Sequence, residues 1–475
     1  MKKTGKIHYL FKNMAFFTIG SFVSKLLVFF LVPFYTSVLT ESEYGIADVM
    51  QSSLLLLVPL LSVNAGEAAL RYGLEYTDDR DIIFSSGLKR VSLSVIPVMI
   101  ISGVLSLLFP GYRIYFLFFL ILYTADAFYE YMLLYCQGTE EVKKMIMGSV
   151  SSTFFVIVSN LFFLLVLRMG IYGYLISQIL AFSLSALLMF ILTDGREKLR
   201  SAGTKDSYAL NREMGDYGRS MLLYSTASWV NNAIDRYFIL FLLGSVQNGL
   251  YGVAYKIPAI LTTIQRIFAM AWQMSAVKEY KGDDREEFFS KMYRSYQTIL
   301  VIGCAGIILL LKVIAGVMFR NDFFEAWILV PPLLISVVFG ALEGFLGSIA
   351  LAFKDGRSMG IATGAGAVFN IVLNFFWIRS MGSTGAALST LVSYFVMFVL
   401  AFIFVRRHVK LKVFIVRDVI AYCLLLTESV LVIRGVDNYF YWNAGIVLIL
   451  ISLYFNEVVN ILKRSSGFFG RKPSE

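Results

Sequence analysis

Histidine is almost absent from this chain. The two present, His8 and His408, fall outside every apolar run. No histidine is placed to ligate zinc inside a membrane span or to serve a Ser-His triad. Cysteine is scarce too. Cys136, Cys304 and Cys423 are scattered through apolar segments and form neither a disulfide framework nor a metal-ligand spacing. Charge is the third shortage. Asp, Glu, Lys and Arg make up 16% of the 475 residues, where a soluble domain carries about 25%.

Apolar residues fill the space. They are 58% of the chain, and the mean hydropathy is +0.72. A soluble fold has no interior large enough for this surface, so lipid is the solvent for much of it. Only helices and closed barrels satisfy their backbone groups in hydrocarbon. The apolar runs are continuous over about twenty residues, whereas barrel strands alternate over about ten. The expectation is an all-α integral membrane protein with about fourteen spans. They fall near 14–38, 44–66, 88–109, 114–136, 145–167, 171–193, 219–242, 248–272, 295–318, 325–350, 358–378, 383–405, 414–434 and 439–462. The first is too long for a signal peptide and lacks a small-residue cleavage site, so it reads as a retained helix. The longest connections, 194–218 and 273–294, are too small for an enzyme domain.

Basic residues set the orientation. With the N-terminus inside, 32 of the 42 Lys and Arg lie on the inner side, and only Arg113, Arg168, Arg320, Arg379 and Arg434 lie outside. That asymmetry places both termini in the cytoplasm. The net charge of +10 is then a property of cytoplasmic loops and not a nucleic-acid footprint.

An internal repeat divides the spans. At an offset of 207, Tyr44-Gly45-Ile46-Ala47 falls on Tyr251-Gly252-Val253-Ala254. At an offset of 212, Met147-Gly148 falls on Met359-Gly360, and Met169-Gly170 on Met381-Gly382. The unit is six spans, an even number, so the halves are parallel repeats, a known transporter architecture. The expected lobes are 1–205 and 206–408, with two further spans and a tail in 409–475.

Charged residues inside spans are expensive and face protein or a wet cavity. Lys25 lies in span 1. The repeat sets Arg236 opposite Phe29, one helical turn from Lys25, so both cations are expected on one cleft. Lys256 and Arg266 add cations in span 8, and Arg71 stands at the cytoplasmic end of span 2. Arg and Lys suit an anionic headgroup such as pyrophosphate; interhelical ion pairing and snorkelling are the structural alternatives. Ser228, Asn231, Asn232 and Asp235 give span 7 a polar stretch, with 225, 228, 232 and 235 on one face. Asp126 and Glu130 are i, i+4 neighbours whose like charges repel, so either one takes a proton or a cation or they partner a Lys or Arg across a helix interface. Asp126, Glu130, Asp235 and Glu343 are the candidates for coupling to H+ or Na+. No other cofactor is implied.

The sequence resembles the polysaccharide flippase family of the multidrug/oligosaccharidyl-lipid/polysaccharide exporter superfamily. The likeness runs through Lys12-Asn13, Tyr44-Gly45 and Ala69-Leu70-Arg71-Tyr72. It continues through Ile234-Asp235-Arg236-Tyr237-Phe238 and Gly249-Leu250-Tyr251-Gly252. Asn370-Ile371-Val372-Leu373-Asn374 and the glycine-rich turn Gly382-Ser383-Thr384-Gly385-Ala386-Ala387-Leu388-Ser389-Thr390 complete it. The resemblance implies two six-helix, MATE-like lobes that open alternately to each side. It implies as substrate an oligosaccharide linked to polyprenyl pyrophosphate, moved to the outer leaflet of a bacterial plasma membrane for cell-surface polysaccharide. Polymerase machinery is the partner it suggests. The rival within the superfamily is a cation- or proton-coupled drug antiporter. A membrane glycan polymerase is a further rival, but the outer loops are short and show no catalytic constellation.

Overall fold

The computed structural model describes residues 31–202, 208–279, 284–353 and 355–460. Lys25 and most of the first expected span lie outside them, as does the side chain of Arg266. Every regular element among the described residues is helical. Nine helices among them are long and apolar enough to cross a membrane. These correspond to expected spans 2–6 and 9–12. The chain divides into two compact units between Ala233 and Ile234.

Unit 1 contains α1 (Val32–Val38), α2 (Glu41–Leu61), α3 (Ala65–Glu75), α4 (Arg80–Leu108), α5 (Arg113–Gly138), α6 (Val142–Asn160), α7 (Gly170–Leu192) and α8 (Gly195–Ala202). A capping box starts α2: Glu43 N–H donates to Thr40 Oγ1 at 3.3 Å, and Thr40 N–H donates to Glu43 Oε2 at 2.9 Å. The other oxygen of Glu43 accepts from Ile171 N–H at 3.1 Å, at the first turn of α7. One carboxylate thus supports two helix starts. Gly170 permits this. Its φ is +53°, and a Cβ there would sit 2.5 Å from Glu43 Oε1. Beyond α6 the chain continues as a π-helical turn, Leu161–Val166. The core between α4 and α5 is aromatic, and its hydroxyls are satisfied: Tyr131 donates to Phe84 O at 2.8 Å and Tyr123 to Ser94 Oγ at 2.8 Å.

Helix α9 (Tyr208–Leu243) crosses the division, and its last turns belong to unit 2. Unit 2 continues with α10 (Ser245–Ala254), α11 (Pro258–Glu279), α12 (Arg285–Leu309), α13 (Leu311–Met318), α14 (Val330–Ala352), α15 (Gly356–Met381), α16 (Ser383–Val405), α17 (Ile415–Arg434) and α18 (Tyr439–Leu453). Expected span 8 is therefore two helices. Pro258 has no N–H to offer the carbonyl of Ala254, and the helix breaks there. The repeat places Gln51 opposite Pro258, and α2 runs on unbroken through that position. In unit 2, Trp272 stacks on Phe345 at 4.1 Å between ring centres and donates to Phe345 O at 3.2 Å.

A charged cluster ties the start of α17 to the residues just after α18. Arg417 reaches Asp418 at 3.3 Å and Glu457 at 2.8 Å, with the Tyr454 ring 4.4 Å below its guanidinium. Tyr454 also donates to Asp418 Oδ1 at 3.1 Å.

Candidate functional site

The last turns of α9 carry a fully buried carboxylate, Asp235. Helix α16 supplies Thr390, whose hydroxyl donates to Asp235 Oδ2 at 2.5 Å. Helix α10 supplies Tyr251, whose hydroxyl donates to the same oxygen at 2.7 Å. Helix α15 supplies Asn374, whose Nδ2 donates to Asp235 Oδ1 at 2.5 Å. All four side chains are buried. Each donor is neutral and each sits on a different helix.

The short polar spacing of α15 builds the next layer. Asn370 and Asn374 lie four residues apart, hence on one face. Asn374 Nδ2 donates to Asn370 Oδ1 at 2.9 Å. With both of its hydrogens committed, Asn374 keeps a buried oxygen that has no hydrogen-bond partner among the described residues. Asp235, Tyr251, Thr390 and Asn374 thus form one buried, oxygen-rich hydrogen-bond network. No group of three or more His, Cys, Asp or Glu able to hold a metal ion is present among the described residues.

The other expected site residues are distributed as follows. The Arg236 guanidinium lies 4.8 Å from the Tyr255 ring centre. Lys256 is half-buried in the break between α10 and α11. Arg71, exposed on α3, stands 4.7 Å over the Tyr217 ring. On α9, Asn231 and Asn232 fold back on their own helix, donating to Ala227 O at 3.2 Å and Ser228 O at 2.7 Å. Ser225 donates to Asn64 Oδ1 at 3.1 Å, and Trp229 to Ser52 O at 2.8 Å. Asp126 and Glu130 lie in unit 1 on α5, the first half-buried and the second exposed. Glu343 is half-buried on α14. Of the four coupling candidates, Asp235 alone has this caged geometry.

Sequence reasoning singled out Asp235 but not its cage. Asn370, Asn374, Tyr251 and Thr390 were visible only as parts of repeat or family stretches. The signal was there: two Asn at helical spacing in an apolar run require partners inside the membrane.

The family described as "Polysaccharide biosynthesis protein" matches residues 10–277. Among curated proteins, the chain is 24% identical over 291 residues to the "Probable low-salt glycan biosynthesis flippase Agl15" of Haloferax volcanii. That likeness spans 60% of this chain and 60% of the relative. Among solved structures, the fold is similar to "Lipid II flippase MurJ, inward closed conformation", with a TM-score of 0.68, 15% identity, and coverage of 95% of this chain and 99% of that one. It is also similar to an inward-facing multidrug resistance MATE family transporter of the MOP superfamily, with a TM-score of 0.65, 13% identity, and coverage of 82% and 97%. At these identities the solved structures establish the fold: an all-helical, multi-span membrane transporter fold of the MurJ and MATE kind. The match over more than half of the sequence establishes the rest, and the chain belongs to the polysaccharide biosynthesis protein family.

Proposed function

We propose that this protein is a flippase that carries a lipid-linked oligosaccharide, on a polyprenyl pyrophosphate, from the cytoplasmic to the outer leaflet. The likeness to a glycan flippase, within a family named for polysaccharide biosynthesis, carries this reading. Rocking of the two lobes, 1–205 and 206–408, supplies alternating access. Lys25, Arg71, Arg236, Lys256 and Arg266 form the path for the anionic headgroup, because fixed cations inside a membrane lower the cost of moving a pyrophosphate. Ser228, Asn231 and Asn232 line the cleft. Asp235 is the coupling group for Na+ or H+, supported by its buried cage and by the uncommitted oxygen of Asn374. The setting is a bacterial plasma membrane with both termini cytoplasmic, and the polysaccharide polymerase machinery takes up the product.

A cation- or proton-coupled drug antiporter is the second reading. The MATE fold and the buried carboxylate favour it. Cells lacking the protein separate the two. A flippase's loss leaves lipid-linked oligosaccharide in the inner leaflet, shielded from a membrane-impermeant glycosidase. Unchanged exposure of that lipid, with new sensitivity to cationic drugs, would establish the antiporter instead.

A further inference from the structure

Glu428 on α17 is fully buried, and neither of its carboxyl oxygens has a hydrogen-bond partner among the described residues. Asp235, buried to the same degree, accepts three hydrogen bonds. An ionised carboxylate buried without a partner is strongly destabilising, and such a group takes up a proton instead.

Paired contacts along the helices fix where Glu428 sits. Helix α12 runs parallel to α17. Gln297 Nε2 donates to Tyr422 Oη at 2.9 Å, and two turns on, Cys304 lies within electrostatic reach of Glu428. Helix α18 runs back along α17. Tyr454, just after α18, meets Asp418 near the start of α17, and Asn443 meets Glu428 near its end. The three helices pack on one another. Asn443 is itself fully buried, and its Nδ2 donates to the backbone carbonyl of Glu428 at 3.4 Å. Only the nitrogen end of an amide can donate to a carbonyl, so the orientation is fixed. Asn443 Oδ1 is left buried with no partner among the described residues. The cluster thus holds three uncommitted acceptors, Glu428 Oε1 and Oε2 and Asn443 Oδ1.

The neighbouring helices bring no cation to this level. From α12 the titratable group facing Glu428 is Cys304, and from α18 it is met by Asn443, which does not titrate. Helix α14 runs antiparallel to α12, with Phe345 on Tyr293 and Phe339 on Tyr422. Its Glu343 therefore lies on the far side of Phe339, and the residues level with Glu428 are Leu333, Leu334 and Ile335. Lys312 on α13 stands over the rings of Tyr439 and Trp327 at 4.3 and 5.0 Å, one turn of α18 beyond Asn443. Arg434, at the end of α17, is exposed. Ca2+ and Mg2+ collect about six oxygens or more, so three uncommitted ones suit a proton better than either.

We propose that Glu428 is a proton-binding site: it holds one proton at neutral pH, and the acid hydrogen donates to Asn443 Oδ1. A neutral acid then joins α17 to α18 against α12. The site is separate from Asp235 and does not depend on what the protein transports.

Infrared difference spectroscopy of the purified full chain at neutral pH tests this, in potassium buffer with and without added sodium. Subtracting Glu428→Gln from wild type is expected to leave the carbonyl stretch of one protonated carboxyl, unchanged by sodium. Asn443→Leu is expected to shift that band to higher frequency, as an acid without an acceptor does; a merely structural Asn443 would not move it. Glu428→Asp serves if Glu428→Gln does not fold: in protein labelled with 13C-glutamate, the isotope-shifted acid band is expected to vanish. Loss of a carboxylate band in place of the acid band, an acid band that disappears when sodium is added, or no shift in Asn443→Leu would each overturn the proposal.

Discussion

Asn374 and Asp235 meet at 2.5 Å, side-chain nitrogen to carboxylate oxygen, with both residues fully buried. The same nitrogen is engaged by Asn370, so the amide is held with its oxygen turned away from both partners and left uncommitted.

Asp235→Asn keeps the size of the side chain and removes its charge. Ion-dependent transport is expected to fall by at least tenfold while the amount of folded protein in the membrane stays near wild type. Transport assays with and without a sodium or proton gradient check this. Retained gradient dependence in Asp235→Asn would remove the residue from coupling.

Asn374→Leu deletes one donor and strands the Asp235 carboxylate. A buried acceptor left short of a partner costs about 1–3 kcal/mol. The expected outcome is a lower unfolding temperature in detergent, with a larger loss than Asn370→Leu gives. Of the two asparagines, only Asn374 touches the carboxylate.

The sequence carried the class of the fold and spans 2–6 and 9–12, because hydrophobic continuity is a local signal. It also singled out Asp235, since a carboxylate in an apolar run is visible at once. The break at Pro258 was missed because the flanking residues remain apolar and average away the interruption. The cage was missed for a different reason. Tyr251, Asn374 and Thr390 lie 16, 139 and 155 residues from Asp235 in sequence, and no spacing rule joins them. The second role of Glu43 was hidden likewise: its capping box is a local pattern, but its bond to Ile171 crosses 128 residues.

Glu43→Ala removes a cap from α2 and an acceptor from the start of α7. Loss of such a cap costs about 1 kcal/mol, up to about 2. Gly170→Ala is expected to be at least as damaging, because the new Cβ meets the Glu43 oxygen and the backbone there is left-handed. Thermal unfolding of the two single variants and the double variant checks the pairing: the double variant should lose less than the sum of the singles.

Outside the spans, Asp355 begins α15 by accepting from Ser358 N–H at 3.2 Å, and it pairs with His408 Nε2 at 2.9 Å. The His408 hydrogen bond, followed by those from Ser358, lowers the Asp355 carboxyl to about 2. Its unfolded value is about 3.9. The contribution to stability is therefore present above about pH 4 and is lost as pH falls towards 2. His408→Ala should flatten that part of the stability profile, read by denaturant unfolding at stepped pH. An unchanged profile would separate the pair from the shift.

Arg417 neutralises two acids, Asp418 and Glu457, whose side chains are 8% and 11% exposed. Arg417→Met leaves both without their cation. Breaking one side of a buried pair costs about 3–5 kcal/mol. Limited proteolysis is expected to cut near α17 and α18 faster in this variant, and replacing all three residues by apolar ones should recover much of the loss.

Leaflet transfer in proteoliposomes tests the central claim most directly. The purified full chain is reconstituted with a fluorescent oligosaccharide on polyprenyl pyrophosphate, and a membrane-impermeant quencher reports the leaflet. Wild type is expected to equilibrate the lipid between leaflets well above the protein-free rate, and Arg236→Ala to slow it by at least tenfold at equal incorporation. No transfer above protein-free vesicles, across several glycan lengths and with either ion gradient imposed, would contradict the flippase function.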